Sequence, residues 1–222
     1  MTDNGKWMSL NGNWIPEDKS SHLFHNRGFL YGDGFFESMR FENGRIRSGE
    51  AHMHRLHRSL LLLEMSDASF PDLESLETQL GALAEKNKFG AHVRARISVF
   101  REGPGIYTPE VNKTSYLINM SQLEGPLRFP ETGLRIGYYT RQAKARGPFS
   151  NIKSLSAQLY VMAGLHARKE GLDELLLINT SGHFIEGITS NVFIVYNGTL
   201  LTPPLTEGCV DGVMRKTLLN LA

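Results

Sequence analysis

Alternating apolar and polar positions predict several β-strands along the chain. Residues 92–101 alternate strictly, with Val93, Ala95, Ile97 and Val99 on one side, which predicts a strand with one buried face. The segments FFESMRFE (35–42) and RIR (45–47) flank Asn-Gly, the strongest two-residue signal for a hairpin. Shorter apolar runs predict further strands around 14–15 and at 115–120, 134–138, 174–178 and 192–196.

Apolar residues at helical spacing predict four helices. Residues 50–63 carry Met53, Leu56, Leu60 and Leu63 on one side. Residues 71–88 start with a proline, which favours the first turn of a helix. The other two helices are expected at 154–170 and 212–222. No Gly or Pro ends the last one, so we expect the chain to be incomplete at its C-terminus.

A cluster of helix and strand breakers divides these elements into two groups. The stretch SQLEGPLRFP (121–130) contains Gly125, Pro126 and Pro130 and predicts a linker. It would separate an N-terminal domain, 1–120, from a second domain, 131–222. Because strands and helices follow one another in irregular order, the pattern indicates an α+β fold rather than a doubly wound sheet.

Composition excludes several classes of protein. Lys and Arg total 24 against 23 Asp and Glu, so the formal charge is +1 and a nucleic-acid partner is not expected. The polar N-terminus is unlike a signal peptide, and the longest apolar run, 60–63, is too short to cross a membrane. The single cysteine, Cys209, excludes an internal disulfide framework. These features favour a cytosolic protein.

Two ionisable side chains lie where they could do chemistry. Lys153 falls between a loop and a predicted helix, where partial burial would favour bonding to a carbonyl group. Glu186 follows a turn and comes just before a predicted strand, where a carboxylate can hold a ring nitrogen protonated. Taken alone, each is more often a solvated side chain: a lysine in a first turn, and a glutamate on a surface hairpin.

Other segments offer places for an anion but not for a metal. Arg55 and Arg58 give one side of a predicted helix a positive charge. The segment GCVDGVM (208–214) opens a helix, whose free N–H groups favour anions. The spacing of His52 and His54 puts them on different helix faces, so no metal site is predicted. Cys209 is expected to be a buried or an incidental thiol and not a nucleophile.

Taken together, these segments resemble the class IV aminotransferases, the fold-type-IV pyridoxal-phosphate enzymes. The shared motifs are YGDGFFESMRF with NGRI after it, EAHMHRLHRSL, NIKSL, DELLLINTSGHFIEGITSNVFIV, LLTPPL and GVMRK, in this order. Each motif is weak alone, but six in order span nearly the whole chain. The resemblance implies a small N-terminal α/β domain and a larger, barrel-like C-terminal domain, in a homodimer that binds pyridoxal 5′-phosphate.

Residue by residue, the resemblance also implies a cofactor site. Lys153 would form the Schiff base with the cofactor and move the proton between substrate and cofactor. Glu186 would hold the ring nitrogen, and Arg55 would bind the phosphate. The remaining implied contacts are side chains of the EGxxSN motif, an aliphatic residue against the ring, and two N–H groups at a helix start: Ser190, Asn191, Val210, Val213 and Met214.

Several positions that differ among the members of the family bear on the substrate and the cofactor. Phe36 stands where D-amino-acid aminotransferases have an active-site tyrosine, and Arg101 stands where those enzymes and the lyases carry an arginine for the substrate carboxylate. The arginine-bearing tract of the branched-chain enzymes is not recognisable in 92–107. Met214 replaces a threonine common in the aminotransferases, as in some lyases. Family members usually continue for a few dozen residues more.

Three functions are compatible with this resemblance. The first is transfer of an amino group between an amino acid and a 2-keto acid. The second, on the same scaffold, is an aminodeoxychorismate lyase that releases pyruvate and 4-aminobenzoate. The third is a catalytically silent binding protein, against which the joint presence of Lys153, Glu186 and Arg55 argues.

Overall fold

The computed structural model describes residues 7–16, 26–68, 70–125 and 131–222. The chain divides into two compact units, Met1–Leu127 with Ser154–Ser156, and Arg128–Lys153 with Ala157–Ala222. The predicted linker, 121–130, begins within a strand that runs to Gln122, and its last five residues lie outside the described ranges. The proposed domain boundaries at 120 and 131 stay a prediction.

The first unit contains one antiparallel sheet of six strands in the order β2-β1-β6-β5-β3-β4. The strands are β1 (Trp7–Leu10), β2 (Asn13–Pro16), β3 (Gly34–Glu42), β4 (Arg45–Ile46), β5 (His92–Glu102) and β6 (Lys113–Gln122). The predicted hairpin is confirmed: Glu42 pairs with Arg45, and the turn residues Asn43 and Gly44 have φ of 51° and 80°. Two successive positive φ angles suit the right-handed twist of a hairpin.

Helices pack against this sheet. They are α1 (Arg27–Tyr31), α2 (Gly49–Leu62) and α3 (Leu73–Lys86). The buried face of β5 is the one that alternation predicts, and its apolar residues are fully buried, as are Leu76 and Leu80 of α3. Pro71 lies outside α3, because Asp72 is the N-cap and its side chain accepts a hydrogen bond from the Ser75 N–H.

The second unit contains two smaller sheets and two helices. The three-stranded sheet has the order β7-β8-β9, and β10 and β11 form a hairpin. The elements are β7 (Ile136–Lys144), α4 (Gln158–Glu170), β8 (Glu174–Asn179), β9 (Phe184–Gly187), β10 (Ile194–Tyr196), β11 (Thr199–Leu201) and α5 (Val213–Leu221). Strands β7 and β8 are parallel and are joined by α4, because parallel neighbours need a crossover connection, which is usually a helix. The buried core of the second unit contains Tyr139, Ala163, Ala167, Leu175 and Leu177.

Several predicted boundaries in this part of the chain are wrong, among them the start of the strand predicted at 192–196, which is β10 and begins at Ile194. Helix α4 begins at Gln158 and not at Ser154, because Ser154 bridges to Phe35 and the Leu155 N–H donates to the Gly34 carbonyl at 3.1 Å. Strand β7 starts two residues later than predicted and continues to Lys144. In the described ranges, no helix is both long and apolar enough to cross a bilayer.

Candidate functional site

Glu186 lies within strand β9, not before a strand, and is 2% exposed. Its Oε1 accepts hydrogen bonds from the Lys144 Nζ at 2.6 Å and from the Tyr160 hydroxyl at 2.8 Å. Its Oε2 accepts from the Val210 backbone N–H at 2.7 Å. A buried carboxylate needs donors of this kind, so the alternative of a glutamate on a surface hairpin is excluded.

These groups form one polar cluster, which we call the Glu186 cluster: Lys144, Tyr160, Glu186 and the Val210 amide. The Lys144 side chain is 12% exposed, so its charge is largely withdrawn from water. Burial raises the pKa of Tyr160 well above its ordinary range, and the charge and hydrogen bond of Glu186 raise it further. Tyr160 is therefore a neutral hydroxyl donor, and Lys144 supplies the positive charge of the cluster.

A second buried carboxylate holds the turn that follows Glu186. Glu174, at the start of β8, accepts from the Ile188 N–H at 2.8 Å, the Thr189 hydroxyl at 3.1 Å and the Ser190 hydroxyl at 3.3 Å. The Gly187 N–H donates a hydrogen bond to the Ser190 carbonyl at 2.7 Å, which closes the turn. The turn is thus fixed by its own hydrogen bonds. A contact of Ser190 with a cofactor stays a prediction.

Asn191 connects this turn to the segment that leads into α5. Its side-chain amide donates to the Val210 carbonyl at 2.8 Å, and its backbone bridges to Glu186. A Cβ on Gly212 would lie 1.9 Å from the Asn191 Oδ1, so only glycine allows this close approach. Val210 is held on both sides, by Glu186 at its N–H and by Asn191 at its carbonyl.

The start of α5 has the geometry of an anion-binding site. Gly212 is its N-cap and carries no capping side chain. The N–H groups of the first helical turn, including those of Val213 and Met214, have no acceptor within the helix. Together with the helix dipole they favour a bound anion. Val213 is buried and Met214 is exposed. Phosphate binding by these two N–H groups stays a prediction.

Lys153 is half-buried in the segment between β7 and α4. Two residues earlier, the Asn151 side chain donates to the carbonyls of Leu205 at 2.9 Å and Cys209 at 2.6 Å. The Asn151 carbonyl accepts from the Asp211 N–H at 3.1 Å. The backbone next to Lys153 is therefore bonded to the segment that carries the Val210 amide and leads into α5.

In the first unit, Arg55 forms a buried ion pair with Glu37. The Arg55 Nε lies 2.7 Å from Oε1 of Glu37, and Nη2 lies 2.6 Å from Oε2. The His52 Nδ1 lies 2.9 Å from the same Oε2. Burial raises the pKa of Glu37, but His52 and Arg55 outweigh it, so the net pKa is below its ordinary value. In the described ranges, no group of three or more His, Cys, Asp or Glu is arranged to hold a metal ion.

Arg101 is buried in a dense set of protein acceptors. Its Nε donates to Asp33 at 3.1 Å, its Nη1 to the Glu64 carbonyl at 3.2 Å and also to Asn112, and its Nη2 to the Leu63 carbonyl at 2.6 Å. Four of the five N–H groups of the guanidinium are thus engaged. The predicted contact of Arg101 with a substrate carboxylate remains a prediction.

Arg96 lies on the other face of the same strand and, unlike Arg101, stacks on an aromatic ring. Its Cζ lies 3.6 Å from the centroid of the Phe36 ring, on the sheet face opposite α2. Burial, and then the like charge of Arg94, lower the pKa of Arg96 from its ordinary value. No carboxylate within the described ranges pairs with it. This half-buried cation can accept an anion.

Several residues that shape these sites were not found from the sequence: Glu37, Arg96, Lys144, Tyr160 and Glu174. Glu37 was detectable, because alternation along β3 places it on the core face, where a carboxylate requires a cationic partner. Lys144 was not, because it stands in the basic, polar run RQAKAR, which is typical of a solvated segment.

Cys209 is buried, in agreement with the first of the two expectations for this thiol. Its Sγ lies 3.8 Å from the Pro203 carbonyl and 3.9 Å from that of Pro204. Burial raises the pKa of Cys209, which disfavours the thiolate.

Comparison with known proteins relates most of the chain to one family. The family model described as "Amino-transferase class IV" matches residues 34–222. The branched-chain-amino-acid aminotransferase of Escherichia coli K12 is 25% identical over 230 residues, which cover 100% of this chain and 74% of that protein. The D-alanine aminotransferase of Bacillus licheniformis is 29% identical over 220 residues, 96% of this chain and 73% of that protein.

Solved structures share the fold. The branched-chain aminotransferase of Thermoproteus uzoniensis superposes with a TM-score of 0.82 at 24% identity, covering 98% of this chain and 74% of that one. The 4-amino-4-deoxychorismate lyase of Pseudomonas aeruginosa has a TM-score of 0.79 at 27% identity, covering 97% and 77%. A fold IV transaminase of Curtobacterium pusillum has a TM-score of 0.75 at 22% identity, covering 97% and 77%. The predicted fold is confirmed.

Proposed function

Because the chain belongs to the class IV aminotransferase family, we propose that it transfers an amino group between an amino acid and a 2-keto acid with the help of pyridoxal 5′-phosphate. The observation that carries this proposal is the buried Glu186 carboxylate, held by three donors beside the segment that leads into α5. A carboxylate in this position can hold the ring nitrogen of pyridoxal phosphate protonated, which makes the ring an electron sink.

The donors and acceptors of the second unit fit the cofactor. Lys153 offers an amine, Glu186 an acceptor for a protonated ring nitrogen, and the first turn of α5 unsatisfied N–H groups for a phosphate. Val210, between Asn191 and Glu186, offers an aliphatic side chain to a flat ring. When bound, the cofactor supplies an electron sink for the carbanion that forms at the substrate α-carbon.

Lys153 would act twice. Its amine would hold the cofactor aldehyde, and after substrate has displaced it, the freed amine would take the α-proton and return it to the cofactor. Hydrogen bonds from the Asn151 side chain fix the backbone next to Lys153. The amine would then reach the substrate α-carbon and the cofactor carbon that receives the proton from one position. Glu186 would meanwhile keep a proton at the ring nitrogen.

We propose that Arg55 binds the phosphate of the cofactor. Replacing Arg55 with alanine should weaken the affinity for pyridoxal phosphate by about 2–3 kcal/mol, as loss of charge-assisted hydrogen bonds does. Arg55→Lys should recover only part, since an ammonium lacks the two-point geometry of the guanidinium. Titration followed by the visible absorption of the bound cofactor measures both affinities.

Pyridoxal without its phosphate is the control for this prediction. Arg55→Ala also removes a partner of buried Glu37, so the variant should be less stable by about 3 kcal/mol whatever Arg55 binds. Only a phosphate contact predicts that the mutant loses preference for pyridoxal phosphate over pyridoxal. An unchanged preference would contradict the role of Arg55.

For the carboxylate of the substrate we propose Arg96, with Phe36 beside it, in preference to Arg101. Arg96→Gln should raise KM for amino and keto acids about tenfold or more and leave cofactor affinity unchanged. Arg101→Gln should instead lower the free energy of unfolding by about 3 kcal/mol, because it leaves buried acceptors unsatisfied. Steady-state kinetics and thermal unfolding of the two variants separate the roles. A raised KM with normal stability in Arg101→Gln would restore the assignment to Arg101.

The lyase remains the second candidate, supported by the likeness to the Pseudomonas aeruginosa enzyme and by Met214. A panel of L- and D-amino acids with 2-oxoglutarate, together with aminodeoxychorismate, decides between the two. Chromatography of the products should detect a new amino acid for a transferase, or pyruvate and 4-aminobenzoate for the lyase. Turnover of aminodeoxychorismate alone would overturn the transferase proposal. Cytosolic location and a homodimer stay predictions.

A further inference from the structure

The Glu186 cluster contains a buried cation to which the proposed function gives no task. The Lys144 Nζ lies 2.6 Å from Oε1 of Glu186 and 5.5 Å from the centroid of the Tyr160 ring. Its side chain is 12% exposed and that of Glu186 is 3% exposed. Burying two charges is costly, and an apolar pair of similar volume is often equally stable. Stability alone therefore does not explain why a lysine stands here.

Counting acceptor positions shows how Lys144 directs the carboxylate. A carboxylate offers about four lone-pair positions, two on each oxygen. Lys144 and Tyr160 take both positions on Oε1, and the Val210 N–H takes one on Oε2. The one position left lies on Oε2. A protonated ring nitrogen would have to be received there.

The charge of Lys144 also decides where a shared proton rests. A proton shared between Oε2 and the ring nitrogen of a cofactor can rest on either atom, and Lys144 binds the other oxygen, Oε1, of the same carboxylate. When the proton rests on the nitrogen, its positive charge is farther from the Lys144 ammonium, and the carboxylate next to that ammonium is negative. Both changes lower the Coulomb energy, and the effect is larger in a buried site. The other charge in the cluster is that of Glu186, since Tyr160 stays neutral.

We propose that Lys144 is a positioning residue that presents Oε2 of Glu186 to the ring nitrogen of the cofactor and keeps the shared proton on that nitrogen. This inference rests on the proposed function, because it assumes pyridoxal phosphate as the ligand. A lysine that only stabilises the fold would have no influence on the protonation of the ring.

The test uses pyridoxal phosphate labelled with ¹⁵N in the ring and bound to the full chain. In the parent protein, the ¹⁵N resonance should lie at the position of a protonated ring nitrogen. In Lys144→Met it should move toward the position of neutral pyridine, and in Lys144→Arg it should stay near that of the parent. Tyr160→Phe, which removes a donor from the same Oε1 but no charge, should move it less than Lys144→Met.

Lys113→Met is the matched control. Lys113 also pairs with a glutamate, Glu102 at 2.8 Å, but it is 64% exposed and lies in the first unit. It should leave the resonance unchanged. If Lys144→Met folds poorly, Lys144→Gln, which also removes the charge, takes its place in the comparison with Lys144→Arg.

An unmoved resonance in Lys144→Met, or equal shifts in the Met and Arg variants, would overturn the role of Lys144 and leave the proposed function intact. Failure of the parent protein to bind the labelled cofactor would overturn the proposed function itself.

Discussion

Replacing Lys153 with alanine is expected to abolish amino-group transfer and to leave no cofactor covalently attached to the protein after borohydride treatment. The lysine is expected both to hold the cofactor aldehyde and to move the α-proton, so kcat should fall by more than about 10⁴-fold. Mass spectrometry of the intact protein, incubated with pyridoxal phosphate and reduced, measures the attachment. The parent chain should gain one reduced cofactor, and Lys153→Ala should gain none.

Two other lysines make this experiment specific. Lys216 on α5 is exposed, and Lys216→Ala should attach cofactor as the parent does. Lys144 is a second amine within the same unit, so peptide mapping must distinguish it from Lys153. A reduced adduct on the Lys144 peptide, or any adduct in Lys153→Ala, would show that Lys153 is not the attachment point.

Glu186→Gln is expected to lower kcat at least about a hundredfold, equivalent to about 2.7 kcal/mol, with cofactor still bound at Lys153. The amide carries no charge to hold a proton on the ring nitrogen, and the loss is greatest when the α-proton is removed and carbanion character develops. Single-turnover rates of the cofactor-loaded variant, followed by visible absorption, measure this step separately from substrate binding.

The structure adds a second consequence of the same substitution. An amide has one acceptor oxygen and one NH₂ group, so glutamine cannot accept from Lys144, Tyr160 and the Val210 N–H together. One buried donor must lose its acceptor, so the free energy of unfolding should fall by about 1–3 kcal/mol. Glu207→Gln is the control: Glu207 also accepts from several side chains, but it lies outside the cluster. A parent-like single-turnover rate in Glu186→Gln would refute the role of Glu186.

Local patterns predict the first unit well. Alternation in β5 and the Asn-Gly turn after β3 depend on neighbouring residues only, and both elements are found where expected. The α2 helix is predicted to within a residue at each end, because its apolar residues repeat at helical spacing. Elements of this kind are encoded locally, since a strand or helix with one apolar face needs only a partner surface.

Features that depend on distant residues escaped prediction. Residues 154–156 are compatible with a helix, but they pair with the start of β3 more than a hundred residues earlier. Lys144 and Glu186 are 42 positions apart and meet only because α4 returns the chain from β7 to β8 beside it. Family resemblance predicts roles for Lys153 and Glu186, but it gives no information about side chains outside the motifs, such as Lys144.

The ion pair of Lys144 with Glu186 has a consequence for the order in which the protein is assembled. The carboxylate loses its water when the chain folds, and Lys144 balances its charge at that moment. The Glu186 carboxylate is therefore not left as an isolated buried charge in the protein without a ligand. We expect the proposed cofactor to load after folding and to be exchangeable without unfolding the chain.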